Sequence, residues 1–171
     1  MRHRLPILIA LAVVAAGCAP ASGVAAREPA SHELPATALV TLDGDPADLG
    51  AIVRGRAAVV SLWATWCDAC LEETSALQRL DTQAGARGDA VVVGIAVGEP
   101  RAKVAAFARE HGLHYARLVD EEFRLADALG QPRLPATLVV DRAGRIVYRG
   151  GALDAAGLAA FRDALGEAPT R

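Results

Sequence analysis

Lysine is nearly missing from this chain. Lys103 stands alone among 18 basic side chains, and arginine supplies the rest. No block of like charge occurs, and the formal net charge is −2, which argues against a general nucleic-acid binder. No repeat of solenoid length is visible, so a stacked-repeat architecture is excluded. Cysteine is scarce, at 3 residues, with no second C-x-x-C and no histidine pair to complete a zinc site. Hydrophobic residues make up 53% of the chain, but much of that is alanine, so the figure does not indicate a membrane protein. At 171 residues the chain is long enough for one domain with a full core.

What is present centres on Ser61-Leu62-Trp63-Ala64-Thr65-Trp66-Cys67-Asp68-Ala69-Cys70. An apolar run from Ala57 leads into two tryptophans and a C-x-x-C pair, and a long helical pattern follows. A strand that delivers cysteines to the first turn of a helix suits redox chemistry. Unpaired N–H groups and the positive end of the macrodipole both favour a thiolate there. Cysteines three apart share a helical face and can close a short disulfide. A purely structural clip across two residues would constrain the unfolded chain little.

The N-terminus carries basic Arg2-His3-Arg4 and then an apolar run, Leu5 to Ala16, too short to span a bilayer comfortably. It ends in Ala15-Ala16-Gly17-Cys18, which resembles a bacterial lipobox, with alanine at position 15 where leucine is usual. Residues 1–17 are therefore expected to be a lipoprotein signal peptide, with Cys18 lipidated. The alternative is an ordinary signal cleaved near Ala19 or Ala26, discarding Cys18. Either route places the mature domain outside the cytoplasm, where disulfides persist. Residues 18–34 read as a flexible tether and 35–168 as the folded domain.

Within the domain the pattern predicts strands at Ala38–Leu42, Ala57–Ala64, Ala90–Val97 and Ala116–Val119, and a hairpin of Ala136–Asp141 with Arg145–Tyr148. Helices are predicted from the C-x-x-C to about Ala84, over Pro100–His111 and Glu121–Leu129, and after an Asp154 cap; Ala47–Val53 reads as a helical turn. The helix stripe Cys70, Glu73, Leu77, Leu80, Ala84 places a glutamate at a core position, where a carboxylate is expensive without a partner. Trp63 reads as packing, and His111 and His114 as helix-end or surface residues.

Three segments together carry a family resemblance: Trp63-Ala64-Thr65-Trp66-Cys67-x-x-Cys70, Leu134-Pro135-Ala136-Thr137 before the hairpin, and Val97-Gly98-Glu99 before an additional helix. The chain resembles the TlpA/ResA-like branch of the thioredoxin superfamily, anchored extracytoplasmic thiol-disulfide oxidoreductases. The resemblance runs from about Leu34 to Leu165. It implies an α/β thioredoxin fold, a central mixed sheet flanked by helices, with a central insertion supplied by the Pro100–His111 helix and the Ala116–Val119 strand. It implies that Cys67 attacks, Cys70 resolves, and Glu73 tunes the thiols and handles protons. Pro135 would be cis, with Leu134 and Trp66 meeting the substrate. Partners would be proteins carrying disulfides, such as haem-site cysteines of apocytochrome c or copper-site cysteines, together with a membrane or periplasmic thiol electron donor. The membrane would be met through the lipid anchor. No cofactor, metal or nucleic acid is expected, and the chain is expected to be a monomer.

The departure from the family lies between the cysteines, where Ala69 replaces a common proline and Asp68 adds negative charge. Asp68 should oppose thiolate formation and favour a reductant. Two other functions occur on this fold. A copper chaperone uses C-x-x-x-C and a late histidine, whereas this chain has C-x-x-C and no histidine after His114. A thiol peroxidase uses P-x-x-x-T-x-x-C, which is missing. Ala19 after Cys18 mildly favours the outer membrane where one exists.

Overall fold

The structure, a computed structural model, describes residues 33–131 and 133–167. Its centre is the pair β3 (Ala57–Trp63) and β4 (Ala90–Val97), each buried along its full length. Both read as near-continuous apolar runs, with Ser61 the one polar side chain, because helices cover both faces, and they pair in parallel from Ala57↔Ala90 to Trp63↔Ala96. With β1 (Leu39–Thr41), β2 (Pro46–Ala47), β5 (Ala116–Asp120), β6 (Ala136–Val140) and β7 (Ile146–Gly150) they form a seven-stranded sheet ordered β2-β1-β5-β4-β3-β6-β7. Strands β3, β4 and β5 run parallel, whereas β6 is antiparallel to β3 and β1 to β5, so the sheet is mixed.

Strand alternation sorts the core. Ala58, Val60 and Leu62 of β3 face a cluster built with α1 (Leu49–Val53) and α4 (Arg124–Ala128). Ala57 and Val59 face α2 (Asp68–Arg87) and α5 (Ala155–Ala164), through Leu77, Ala84 and Phe161. Trp63 continues that face into a third cluster with Cys67, Cys70 and two residues of α3 (Arg101–Glu110), Val104 and Ala108.

The expected alternation of strands and helices is present, with two local differences. Residues Pro46–Ala47 form an edge strand paired with β1, whereas the pattern gave Pro46 to a turn and Ala47 to the start of a helical turn. Gly44, at φ +100°, turns the chain back, and an edge strand tolerates proline's missing N–H. The helix expected from Glu121 begins only at Arg124. Phe123 sits in the left-handed region at φ +59°, and the Asp120 carboxylate accepts the Leu125 and Ala126 N–H groups. The helix α2 runs a turn past Ala84 and stops at Gly88, φ +76°, whose N–H reaches the Ala84 carbonyl. The cap at Asp154 is present, its carboxylate accepting from the Gly157 N–H at 2.8 Å. The signal peptide, Cys18 and most of the tether lie outside the described residues.

Candidate active site at the C-terminal end of the parallel strands

The functional side chains converge where β3, β4 and β5 end and β6 begins. β3 leads through Ala64 and Thr65 to Trp66, which is 63% exposed. Cys67 is the N-cap of α2 and is joined to Cys70 by a disulfide, with the Cα atoms 5.2 Å apart. Cys67 is 6% exposed and Cys70 is 2% exposed, so the outer sulfur belongs to the cap residue. The Cys70 N–H points at Cys67 Sγ, at 3.2 Å. Once the disulfide is reduced, that N–H and the positive end of a 20-residue helix both favour a thiolate on Cys67. Asp68 and Ala69 are exposed on the first turn, so the Asp68 charge acts on Cys67 through solvent.

β6 brings the second wall. Its first residue, Ala136, pairs with Leu62 at the end of β3. The Leu134–Pro135 peptide bond just before it is cis. Leu134 packs against the cluster that contains both cysteines. The loop after β7 passes behind, where a Cβ on Gly151 would stand 3.9 Å from the Pro135 carbonyl oxygen.

Glu73 lies one turn beyond Cys70, half-buried, and uses both oxygens. Ser61 of β3 donates its hydroxyl to one at 3.1 Å, and the Leu153 N–H donates to the other at 3.0 Å. Burial pushes its pKa up and outweighs those two hydrogen bonds. The glutamate thus ties α2 to β3 and to the segment that enters α5. Thr137, directly across the ladder from Ser61, is fully buried on the same face of the sheet.

A second carboxylate was legible only as part of the family pattern, with no role attached. Glu99, 3% exposed, follows β4 and grips the motif loop. It accepts the Thr65 N–H and the Thr65 hydroxyl, each at 2.6 Å, and pairs with Lys103 at 2.5 Å. Burial alone would raise its pKa, but the Lys103 ammonium and the Thr65 donors prevail and hold it below the ordinary value. The signal in the sequence was the chain's single lysine, four residues after a glutamate.

Of the remaining residues singled out by sequence, Trp63 packs in the cluster of the cysteines and the two histidines lie away from them. Trp63 is buried and meets Phe107 at 5.9 Å between centroids; His111 stacks on Phe107 at 4.0 Å. His114 turns its ring to the Gly112 carbonyl. Among the described residues, no group of three or more His, Cys, Asp or Glu could hold a metal ion.

Comparison with known proteins places this geometry. The sequence profile of the Redoxin family matches residues 29–160, most of the chain. The chain belongs to the Redoxin family. Within this setting it is similar to the thiol-disulfide oxidoreductase ResA of Geobacillus thermodenitrificans, 29% identical over 93 residues, 54% of this chain and 53% of that one. It is also similar to the thiol:disulfide interchange protein DsbE of Escherichia coli, 34% identical over 99 residues, 57% and 51% of the two chains. The chain spans about half the length of these curated relatives in the match. Among solved structures, a thiol:disulfide interchange protein of the thioredoxin family from Chlorobium tepidum superposes with a TM-score of 0.66. It is 26% identical, and the match covers 80% of this Redoxin-family chain and 97% of that one. The fold is thioredoxin-like, a mixed sheet flanked by helices.

Proposed function

We propose that this protein is a thiol-disulfide oxidoreductase that reduces disulfides in partner proteins outside the cytoplasm. One observation carries the reading: a Cys67–Cys70 disulfide at the N-cap of α2, with the Cys70 N–H aimed at Cys67 Sγ. The cis Leu134–Pro135 bond and an exposed Trp66 stand at the same end of the sheet.

In the reduced protein the Cys67 thiolate attacks one sulfur of a partner disulfide. A mixed disulfide forms and the partner's other sulfur leaves as a thiolate. Cys70, deprotonated, then attacks Cys67 Sγ. The partner's second sulfur departs, and the Cys67–Cys70 disulfide forms. Two electrons pass to the partner, and a dithiol donor resets the protein by the reverse exchange. Glu73, held by Ser61 and Leu153 with a raised pKa, is suited to exchange the proton that leaves Cys70. Leu134 offers its backbone to an extended partner segment, and the exposed Trp66, next to Cys67 in the chain, meets the partner. Asp68 disfavours the Cys67 thiolate, which favours the disulfide and makes the protein a reductant.

The partner class follows from the resemblance: cysteine pairs destined to hold haem or copper. Lipidation of Cys18, the tether at 18–34 and the domain at 35–168 belong to the same proposal, with the periplasmic side of the membrane as the site of action and the outer membrane slightly favoured where one exists. Among the described residues no helix is long and apolar enough to cross a membrane, so an anchor falls to residues outside them.

The deciding test is reduction of insulin disulfides with dithiothreitol as donor, alongside capture of partners by Cys70→Ser. Turnover that vanishes in Cys67→Ser, with a Cys67-linked partner held by Cys70→Ser, supports the reading. Wild-type protein with no turnover above dithiothreitol alone overturns it. Cys18→Ala should move the protein from the membrane to the soluble fraction; unchanged fractionation removes the anchor.

A further inference from the structure

Phe123 is out of place by every local measure. It is the only non-glycine residue with positive φ among those described, at +59°. A bulky aromatic side chain is disfavoured there by its Cβ, and such outliers persist where the surroundings hold them. The residue is also 48% exposed, although its ring tip lies directly on Gly98, so that a Cβ on Gly98 would stand 1.9 Å from the Phe123 Cζ. Gly98 itself takes φ +68°, and its N–H reaches the Asp120 carbonyl at 2.9 Å. The chain therefore bends two segments into left-handed backbone to hold an aromatic side chain half in water.

Its location gives that arrangement a use. Phe123 follows β5, Gly98 follows β4 and Trp66 follows β3, and these three strands are parallel neighbours. Phe123 and Trp66 thus follow strands that end on the side of the sheet holding the disulfide, and those strands, β5 and β3, lie two strand spacings apart, about 10 Å. Only three large hydrophobic residues are exposed among those described, Trp66, Phe123 and Val147, and two of them are at this end.

The charge around Phe123 states what would dock on it. Glu121 and Glu122 precede it and Asp127 follows, all exposed, with Glu121 also accepting the Arg101 N–H at 2.5 Å and Glu122 paired with Arg124; Asp68 on the first turn of α2 and Glu72 just beyond it are exposed as well. The cations are engaged: Arg124 with Glu122 at 2.9 Å, the Arg101 guanidinium with the Leu42 carbonyl at 2.7 Å, Lys103 with Glu99. Arg133, exposed, lies on the Pro135 side of the cysteines instead. An aromatic ring rimmed by carboxylates suits a cationic side chain with an apolar stem.

We propose that Phe123 is a specificity-determining residue: it receives a lysine or arginine of the oxidised protein segment whose cysteine is under attack by Cys67. The inference rests on the oxidoreductase reading above. Cys67 adjoins Trp66 at the end of β3, and the spacing of about 10 Å to β5 matches about three extended residues, which puts the basic residue roughly three positions from the reactive cysteine.

The test uses the full reduced chain and disulfide peptides that differ only in carrying Arg, Ala or Glu three residues to either side of one cysteine. Hydroxyethyl disulfide, too small to reach Phe123, reports the chemistry alone. The Arg peptide should be reduced with a kcat/KM at least fivefold above that of the Glu peptide, mainly through KM, and the gap should shrink with added salt. Phe123→Gly suits the left-handed backbone and should remove most of the Arg preference while leaving hydroxyethyl disulfide reduction unchanged. Phe123→Tyr should restore it. Glu121→Gln combined with Glu122→Gln should weaken the preference with Phe123 in place. Equal rates on all peptides by an otherwise active protein overturn this inference alone. An equal slowing of every substrate by Phe123→Gly, with a lower denaturation midpoint, overturns it in favour of a packing role. No reduction of any disulfide by the wild type overturns the parent reading as well.

Discussion

Glu99 offers the sharpest test of how the motif loop is held. Its carboxylate is almost fully buried and accepts both Thr65 donors, one residue from Trp66. Replacing it with alanine removes two hydrogen bonds to a charged group, worth about 1.5–3 kcal/mol each. Thr65 is only half-buried, so water recovers part of the loss. The net expectation for Glu99→Ala is about 2–4 kcal/mol of destabilisation, or roughly 4 °C in Tm per kcal/mol for a domain of this size. Glu99→Gln keeps a carbonyl for the Thr65 N–H and an NH2 that donates to the Thr65 hydroxyl, losing the charge and the Lys103 pair and turning a donor toward that ammonium, which must swing into water. Lys103 is more than half exposed, so that pair is discounted and the loss is about 1 kcal/mol. The assay is urea denaturation of the oxidised protein at several pH values. Because the folded pKa is held below the ordinary value of 4.5, the charge contributes stability that is complete above that pH. It is lost as the pH falls through the folded value. Glu99→Gln should lack this acid-side slope. If Glu99→Ala and Glu99→Gln both stay within about 0.5 kcal/mol of wild type with the same pH profile, the network does not hold the loop.

Glu73 carries the opposite sign. Its folded pKa is raised, so the wild type should lose stability relative to Glu73→Gln as the pH climbs from 4.5 through the folded value, and then level off; parallel denaturation curves across that window would refute this. The same variant should alter the pH dependence of disulfide reduction. Gly94→Ala should cost about 1–3 kcal/mol, because the new methyl meets the buried Tyr115 ring against the centre of β4, readable as a drop in denaturation midpoint with the slope unchanged. Leu138→Ala, in the middle of β6 and fully buried, should cost about 2–5 kcal/mol in the same assay.

The strands that position the cysteines were legible because burial on both faces writes itself as a continuous apolar run, as at Val59-Val60 and Val91-Val92-Val93. The helix after Cys67 was legible from its spacing, but its end was placed near Ala84, a turn short of the cap at Gly88. What escaped the sequence depended on contacts distant along the chain. The 3.6-residue pattern runs smoothly through Glu121-Glu122-Phe123, and nothing local announces that Phe123 turns left-handed onto Gly98, 25 positions earlier. Glu73 stood out as a carboxylate in an apolar stripe, yet Leu153, the backbone donor that receives it, lies 80 residues away. The grip of Glu99 on Thr65 crosses 34 residues and leaves no trace in periodicity. Pro46–Ala47 was misplaced because a two-residue edge strand has no period to detect.

Glu33 pairs with Arg145 beside the β6–β7 turn, an isolated bridge that fixes where the N-terminal chain meets the domain. That turn lies at the Ala58 end of β3, because Val140 pairs with Ala58 while Ala136 pairs with Leu62. The point of entry and the disulfide therefore occupy opposite poles, separated by the 7 residues of β3, or roughly 23 Å. A chain held at Cys18 would have 15 residues to reach Glu33 and could stretch at most about 50 Å. Such a tether carries the domain by its base, like a lamp on a short cord. With Cys18 as the anchor, Trp66 and Cys67 would lie at the pole opposite the point where the tether enters.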